Sequence, residues 1–168
     1  EVLIMIEPYV KPGVTTERLD QICHDYIVSK GAVPSPLNYR GFPKSICSSV
    51  NEEICHGIPS DRKLRNGDIV NLDITTYLKG FHGDTSRTFF VGSPRKKAAK
   101  LVEVCKEALQ RGIEVVKPGA KLGDIGASIQ NFAEGHGYSI VREFCGHGIG
   151  TNFHEEPKFS TMETLVMD

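Results

Sequence analysis

Val10-Lys11-Pro12-Gly13 returns as Val116-Lys117-Pro118-Gly119, an offset of 106 residues (116 less 10), and the residues that follow match in kind. After the first copy, Thr15 and Thr16 offer helix N-caps. Leu19, Ile22, Cys23, Tyr26 and Ile27 then recur at the spacing of one helical face that closes near Gly31. After the second copy, Leu122, Ile125, Ile129, Phe132 and Ala133 repeat the pattern, and Gly137 stands at the same offset from Gly31. Pro-Gly alone is ordinary turn punctuation. Tetrapeptide, amphipathic helix and shared stop together predict two like halves. A further helix is expected before the second copy, from about Pro94 through Leu101, Cys105, Ala108, Leu109 and Ile113. Between the copies, residues 68–77 and 85–91 read as strands joined by a turn at Lys79-Gly80. Nine residues precede the first copy and 49 follow the second (168 less 119), so by its own repeat the chain reads as cut at both ends. It is expected to start inside a helix and to stop before a second strand pair.

A length of 168 residues suits one domain, and 39% hydrophobic with 24% charged residues is a globular composition. Twenty Lys and Arg against 21 Asp and Glu leave a formal charge of −1, which argues against nucleic acid or an anionic membrane as a bulk partner. Apolar runs such as Val2-Leu3-Ile4-Met5-Ile6 are far shorter than the ~20 residues of a membrane span. Glu1-Val2 is not the basic opening of a secretory leader. Five cysteines, with no Cys-x-x-Cys pair, favour reduced thiols and a cytoplasmic setting over a disulfide framework or a zinc ribbon.

The chemistry lies in the aspartates and histidines. If Asn71-Leu72-Asp73-Ile74-Thr75 is a strand, Asn71, Asp73 and Thr75 share one side and Leu72 and Ile74 the other. His82-Gly83-Asp84-Thr85-Ser86 follows as the chain returns, and a hairpin of that length can bring Asp84 beside Asp73. Two carboxylates that close repel unless they share a proton or a cation. The bland alternative is a pair of exposed aspartates in a turn-rich region. Gly146-His147-Gly148-Ile149-Gly150 places an imidazole among glycines, with His154 seven residues on, and His56 precedes Gly57 and Pro59 in the same manner. Oxygen-rich ligation with one imidazole suits Mn, Fe, Co or Zn. From spacing alone, His82-x-Asp84 with a distal His147 also imitates the two-histidine, one-carboxylate site of non-haem iron oxygenases, although that leaves Asp73 unexplained.

Five segments in order resemble the type I methionine aminopeptidases: Pro34 to Ser45 (PSPLNYRGFPKS), Asn51 to Pro59 (NEEICHGIP), Gly67 to Asp73 (GDIVNLD), His82 to Thr85 (HGDT) and Gly146 to Gly150 (GHGIG). The likeness runs over nearly the whole chain. It implies an α+β, pita-bread fold of two αββ-like halves around a central metal site. The chain would then be a single catalytic domain, residues 1–168, with a first half of about 1–92 and an incomplete second half of about 93–168. By resemblance, Asp73, Asp84 and His147 are metal ligands, with Asp84 bridging two divalent ions. His154 and His56 are catalytic and substrate-binding residues, and Tyr39, Phe42, Cys47 and Phe153 line the pocket for a methionine side chain. A flexible thioether suits aromatic edges and sulfur, whereas the bland alternative for each pocket residue is core packing.

The activity implied is removal of the N-terminal methionine from nascent proteins and peptides with a small second residue. A hydroxide bridging two ions (Co, Mn, Fe or Zn) would attack the first peptide bond. Nascent polypeptide N-termini, at the ribosome, are the expected partners of a cytoplasmic monomer. The family has two further glutamate ligands downstream; Glu155, Glu156 and Glu163 do not stand in their motif. The chain is therefore expected to be inactive by itself, as a fragment or as a degenerate copy. A metal-free pita-bread binding protein and an Xaa-Pro dipeptidase relative are the alternatives. The first would be expected to have lost its metal aspartates, and the second fits poorly with Cys55-His56-Gly57-Ile58-Pro59.

Overall fold

The computed structural model describes residues 1–159 and 165–166, so Glu163 lies outside the described residues. A short helix, α1 (Val2–Ile6), precedes α2 (Thr16–Ser29). Thr15 caps α2, its side chain accepting the Arg18 N–H at 3.1 Å. The two marks of the repeat are visible in the backbone. Gly13 and Gly119 have φ of 89° and 90°, and Gly31 and Gly137 have 72° and 77°, values that L side chains resist. Each VKPG turn thus leads into a helix of like length, α2 and later α4 (Leu122–Gly135), and each helix is left through a left-handed glycine.

The sheet of the first half is built on one long hairpin. Strands β1 (Val33–Pro34) and β2 (Cys47–Val50) pair along one edge of β3 (Ile69–Leu78), and β4 (Phe81–Phe90) runs antiparallel along the other. Lys79 and Gly80, with φ of 51° and 92°, form the two-residue turn whose twist suits flanking strands. That turn extends β4 four residues earlier than the sequence reading placed it, and so draws His82 and Asp84 into the ladder. Val70, Leu72 and Ile74 point to the side where Leu19, Cys23 and Ile27 of α2 lie, and these six are buried with Ile6, Ile46, Val50, Leu64 and Phe89 in one core. Leu19, Cys23 and Ile27 are spaced by four residues, the stripe a helix needs to cover a sheet.

Two compact units emerge, residues 1–95 with 149–153, and residues 96–148 with those from 154 onward. The second contains α3 (Lys96–Val115) packed on α4, the pair β5 (Ser139–Ile140) with β8 (Leu165–Val166), and the pair β6 (Gly146–Gly148) with β7 (Glu155–Phe159). Its core joins Val104, Ala133, Tyr138 and Ile140, with Leu101, Cys105 and Phe132 at the margin. Gly112 lets the helices approach closely, since a Cβ there would meet Ile129 at 2.9 Å. The buried stripe of α3 is therefore Val104, Ala108 and Gly112, and the expected Leu109 and Ile113 are instead 59% and 54% exposed.

Candidate functional site

The face of the hairpin opposite the core carries the polar side chains. In the β3–β4 ladder Asn71 lies across from Thr88, Asp73 from Ser86, Thr75 from Asp84 and Tyr77 from His82. Opposed residues share a face, as do alternate ones along a strand, so all eight side chains belong to one surface. The Asn71 amide donating to Thr88 Oγ1 at 3.1 Å is a direct sign of it. Asp73 and Asp84 are diagonal neighbours rather than directly opposed, a relation that sets backbones roughly 7–8 Å apart with side chains able to meet. Asp73 is half-buried and Asp84 exposed.

Cys47 stands across from Asp73 on β2, on the same face, and is 8% exposed. Burial, and then the charges of Asp73 and Asp84, push its thiol up to about 12. The sulfur is thus a neutral, apolar wall at ordinary pH and not a thiolate ligand.

Aromatic side chains gather beside the carboxylates. Tyr39 and Phe153 approach with ring centroids 4.7 Å apart, and Phe153 stacks on His82 at 5.5 Å with planes 13° apart. Tyr39 is delivered by a strained loop in which Asn38, Arg40 and Gly41 all have positive φ, of 65°, 50° and 85°. Phe42 closes that loop, half-buried, its carbonyl accepting the Asn38 N–H at 2.8 Å. His56 also has positive φ, 54°, and is exposed, in a loop. Its neighbour Gly57 lies against β2, donating its N–H to Ser49 Oγ at 3.2 Å and accepting the Ser48 N–H at 2.8 Å. A Cβ on Gly57 would fall 2.2 Å from the Ser48 carbonyl oxygen, so glycine alone fits.

His147 and His154 lie in the second unit, with ring centroids 4.2 Å apart. His147 Nδ1 is 2.8 Å from the Gly148 carbonyl. A carbonyl can only accept, so Nδ1 carries a proton, and Nε2 is the nitrogen through which the ring could bind a cation. Gly148 admits the crossing of β7, where a Cβ would meet the Glu156 carbonyl oxygen at 2.4 Å.

Among the described residues, no group of three or more His, Cys, Asp or Glu side chains is gathered as an ion would require. The expected set Asp73, Asp84 and His147 stands as a carboxylate pair on the hairpin and a prepared imidazole on β6. The donor set itself, carboxylate oxygens with one neutral imidazole and no thiolate, fits a hard or intermediate divalent ion.

A model of metallopeptidase family M24 matches residues 1–167. The chain belongs to that family. A curated methionine aminopeptidase from Salmonella typhimurium is 58% identical over 160 residues, covering 94% of this chain and 61% of its own length. The solved methionine aminopeptidase of Rickettsia prowazekii superposes with a TM-score of 0.93 at 53% identity, over 97% of this chain and 65% of that one. A prolidase from Pyrococcus furiosus shares the fold, TM-score 0.79 at 22% identity, over 99% of this chain and 49% of that one. The M24 chain described here thus spans less than two thirds of the length of these relatives. The pita-bread architecture expected from the sequence is borne out, and M24 is a family of metallopeptidases, which implies divalent metal ions. The oxygenase reading of His82, Asp84 and His147 falls with it. Sequence reasoning missed Ser35, Tyr77 and Asp20, and did not place His82 against Phe153. Alternation from Asp84 to His82 along β4 was the signal available for the last.

Proposed function

We propose that the protein is an aminopeptidase that removes N-terminal methionine from polypeptides with a small second residue, using two divalent ions from among Mn, Fe, Co and Zn. The observation that carries this reading is the shared face of Asp73 and Asp84, with Cys47 across the ladder from Asp73 and Phe153 stacked on His82 of the same face. Asp73, Asp84 and His147 Nε2 would hold the ions. When bound, such ions supply Lewis acidity toward the peptide carbonyl and lower the pKa of water.

The chain's own residues then have separate tasks. The hairpin fixes the carboxylates on a rigid ladder, which holds a reacting centre better than a loop can. Tyr39, Phe42, Cys47 and Phe153 take the thioether, and the neutral Cys47 thiol adds polarisable contact without charge. His154 donates to the carbonyl oxygen as negative charge grows there, a task worth roughly 2.7–4 kcal/mol for one such donor. His56, held out in a left-handed conformation, would contact the substrate main chain. Five cysteines with no Cys-x-x-Cys pair support a cytoplasmic setting, in which the protein would act as a monomer on nascent chains. The Xaa-Pro reading has the fold in its favour and nothing else, since the likeness to prolidases is below 25% identity.

Peptides beginning Met-Gly and Xaa-Pro, assayed side by side on the protein expressed from its own gene with Mn or Co, test the proposal. Release of methionine with no cleavage of Xaa-Pro is expected. Preference for Xaa-Pro would overturn it.

A further inference from the structure

We infer that His82 is a positioning residue for the side-chain pocket, fastening the loop that bears Tyr39 and the loop that bears Phe153 to the hairpin that bears both carboxylates. The inference rests on the functional reading above, in which Tyr39 and Phe153 line that pocket.

Three separated chain segments meet on this one half-buried imidazole. From the first, Ser35 Oγ lies 2.8 Å from His82 Nδ1, and Ser35 is itself anchored by its N–H to the Thr75 carbonyl at 3.0 Å. From the second, Tyr77 stands directly across the ladder with its ring 4.8 Å away. From the third, Phe153 stacks on the imidazole at 13°, and the Gly150 carbonyl accepts the His82 backbone N–H at 2.8 Å. Phe153 in turn packs on Tyr39, four residues beyond Ser35. Ser35, Tyr39, Phe153 and His82 thus form a closed circuit around one side of the pocket.

The chemistry of the circuit requires two properties in one side chain. A flat ring is needed to stack on Phe153, and a polar edge atom in the ring plane is needed to reach Ser35. Phenylalanine supplies the first and asparagine the second; histidine supplies both. A ring held by two aromatic neighbours and bonded at its edge has little rotational freedom left. The pocket is then formed before substrate arrives, and the ordering cost of binding is reduced. The backbone bond to Gly150 does not depend on the side chain, so substitution at His82 loosens the circuit without freeing the loop altogether.

The test uses His82→Ala, His82→Phe and Ser35→Ala in the protein expressed from its own gene. With Met-Gly peptides, His82→Ala is expected to raise KM about tenfold, the lower end of the range for altered apolar pockets, with kcat changed less than twofold. His82→Phe and Ser35→Ala each remove the same hydrogen bond, so each should raise KM by a similar smaller factor, and the double variant by no more than either. Discrimination between methionine and norleucine peptides should narrow in His82→Ala, which a merely destabilised protein would not show. Hydrogen exchange of residues 149–153 is read in parallel and needs no turnover. It should quicken in His82→Ala and stay near the parent in His82→Phe. Turnover with unchanged KM, a loss confined to kcat, or unchanged exchange in His82→Ala would overturn the inference and leave the aminopeptidase reading standing. If the parent cleaves no methionine peptide, the functional reading fails, and the exchange result still decides whether His82 holds the loop.

Discussion

Asp20 offers a test of how helix α2 holds the segment leading into the pocket. The carboxylate lies on the buried side of α2, 8% exposed, and its Oδ1 accepts two backbone N–H groups, from Ser45 at 2.8 Å and Ile46 at 3.0 Å. Those residues immediately precede Cys47, so the two bonds set where β2 begins. Burial pushes the carboxyl above its usual 3.8, against the pull of the Ile46 and Ser45 donors and of Lys44. Folded protein therefore binds the proton more tightly than unfolded chain does. Stability from this group is fully present below the unfolded value and is lost as pH rises through the folded one. Two variants separate bonding from charge. Asp20→Ala strands two buried donors, at about 1–3 kcal/mol each, of which relaxation and water recover part; about 3 kcal/mol is expected. For a chain of this size that lowers Tm by about 6–12 °C. Asp20→Asn can keep Oδ1 in place and both bonds with it, while removing a charge that burial already disfavours. Its cost at pH 7 should stay below about 1 kcal/mol. The wild type should gain on the Asn variant as pH falls toward the unfolded value of Asp20. Urea titration followed by circular dichroism at pH 7 and pH 5 measures both differences. An Asn variant as unstable as the Ala variant at pH 7, or a wild type that gains on it as pH rises, would refute the reasoning.

Three further outcomes are expected. Asp84→Asn should abolish methionine release and weaken ion binding, because a neutral amide cannot bridge two cations while balancing their charge; wild-type turnover under saturating metal would contradict the dinuclear proposal. Gly57→Ala must push the loop off β2, given the 2.2 Å approach to the Ser48 carbonyl, and should cost about 1–3 kcal/mol; an unchanged melting temperature would show that the contact yields freely. Residues 1–168 by themselves, with Asp73, Asp84 and His147 but without the two glutamates that the resemblance implies, should bind at most one ion weakly and release no methionine. Two tight ions by calorimetry would count against that.

The hairpin was the legible part of this sequence because its two faces are written with period two. Leu72 and Ile74 against Asn71, Asp73 and Thr75 state a buried side and a polar side without any knowledge of partners. The far strand was read too short because His82-Gly83-Asp84 has the composition of a turn. It is a strand because the Lys79-Gly80 turn fixes the register from its tip, and local propensity yields to the ladder. What could not be read was set by long-range contact. The left-handed backbones of Asn38, Arg40 and His56, the exposure of Leu109 and Ile113, and the buried carboxylate of Asp20 follow from which segment lies against which.

Register is also where fold and site constrain each other. A slip of one residue in β3 would turn Asp73 toward Leu19 and Cys23, and would bring Leu72 out beside Asp84. Burying an unpaired carboxylate costs several kcal/mol, and each stranded core side chain about 1.5–3 kcal/mol more, so the slipped state is excluded by a wide margin. The same apolar residues that hold α2 to the sheet therefore hold the two aspartates on one face. Because Cys47, Tyr77 and His82 obey the same alternation, the pocket wall is fixed by that register as well. Core substitutions that keep the pattern, such as Leu72→Ile, should leave the site in place, whereas a residue inserted within β3 should disperse it even where the chain still folds.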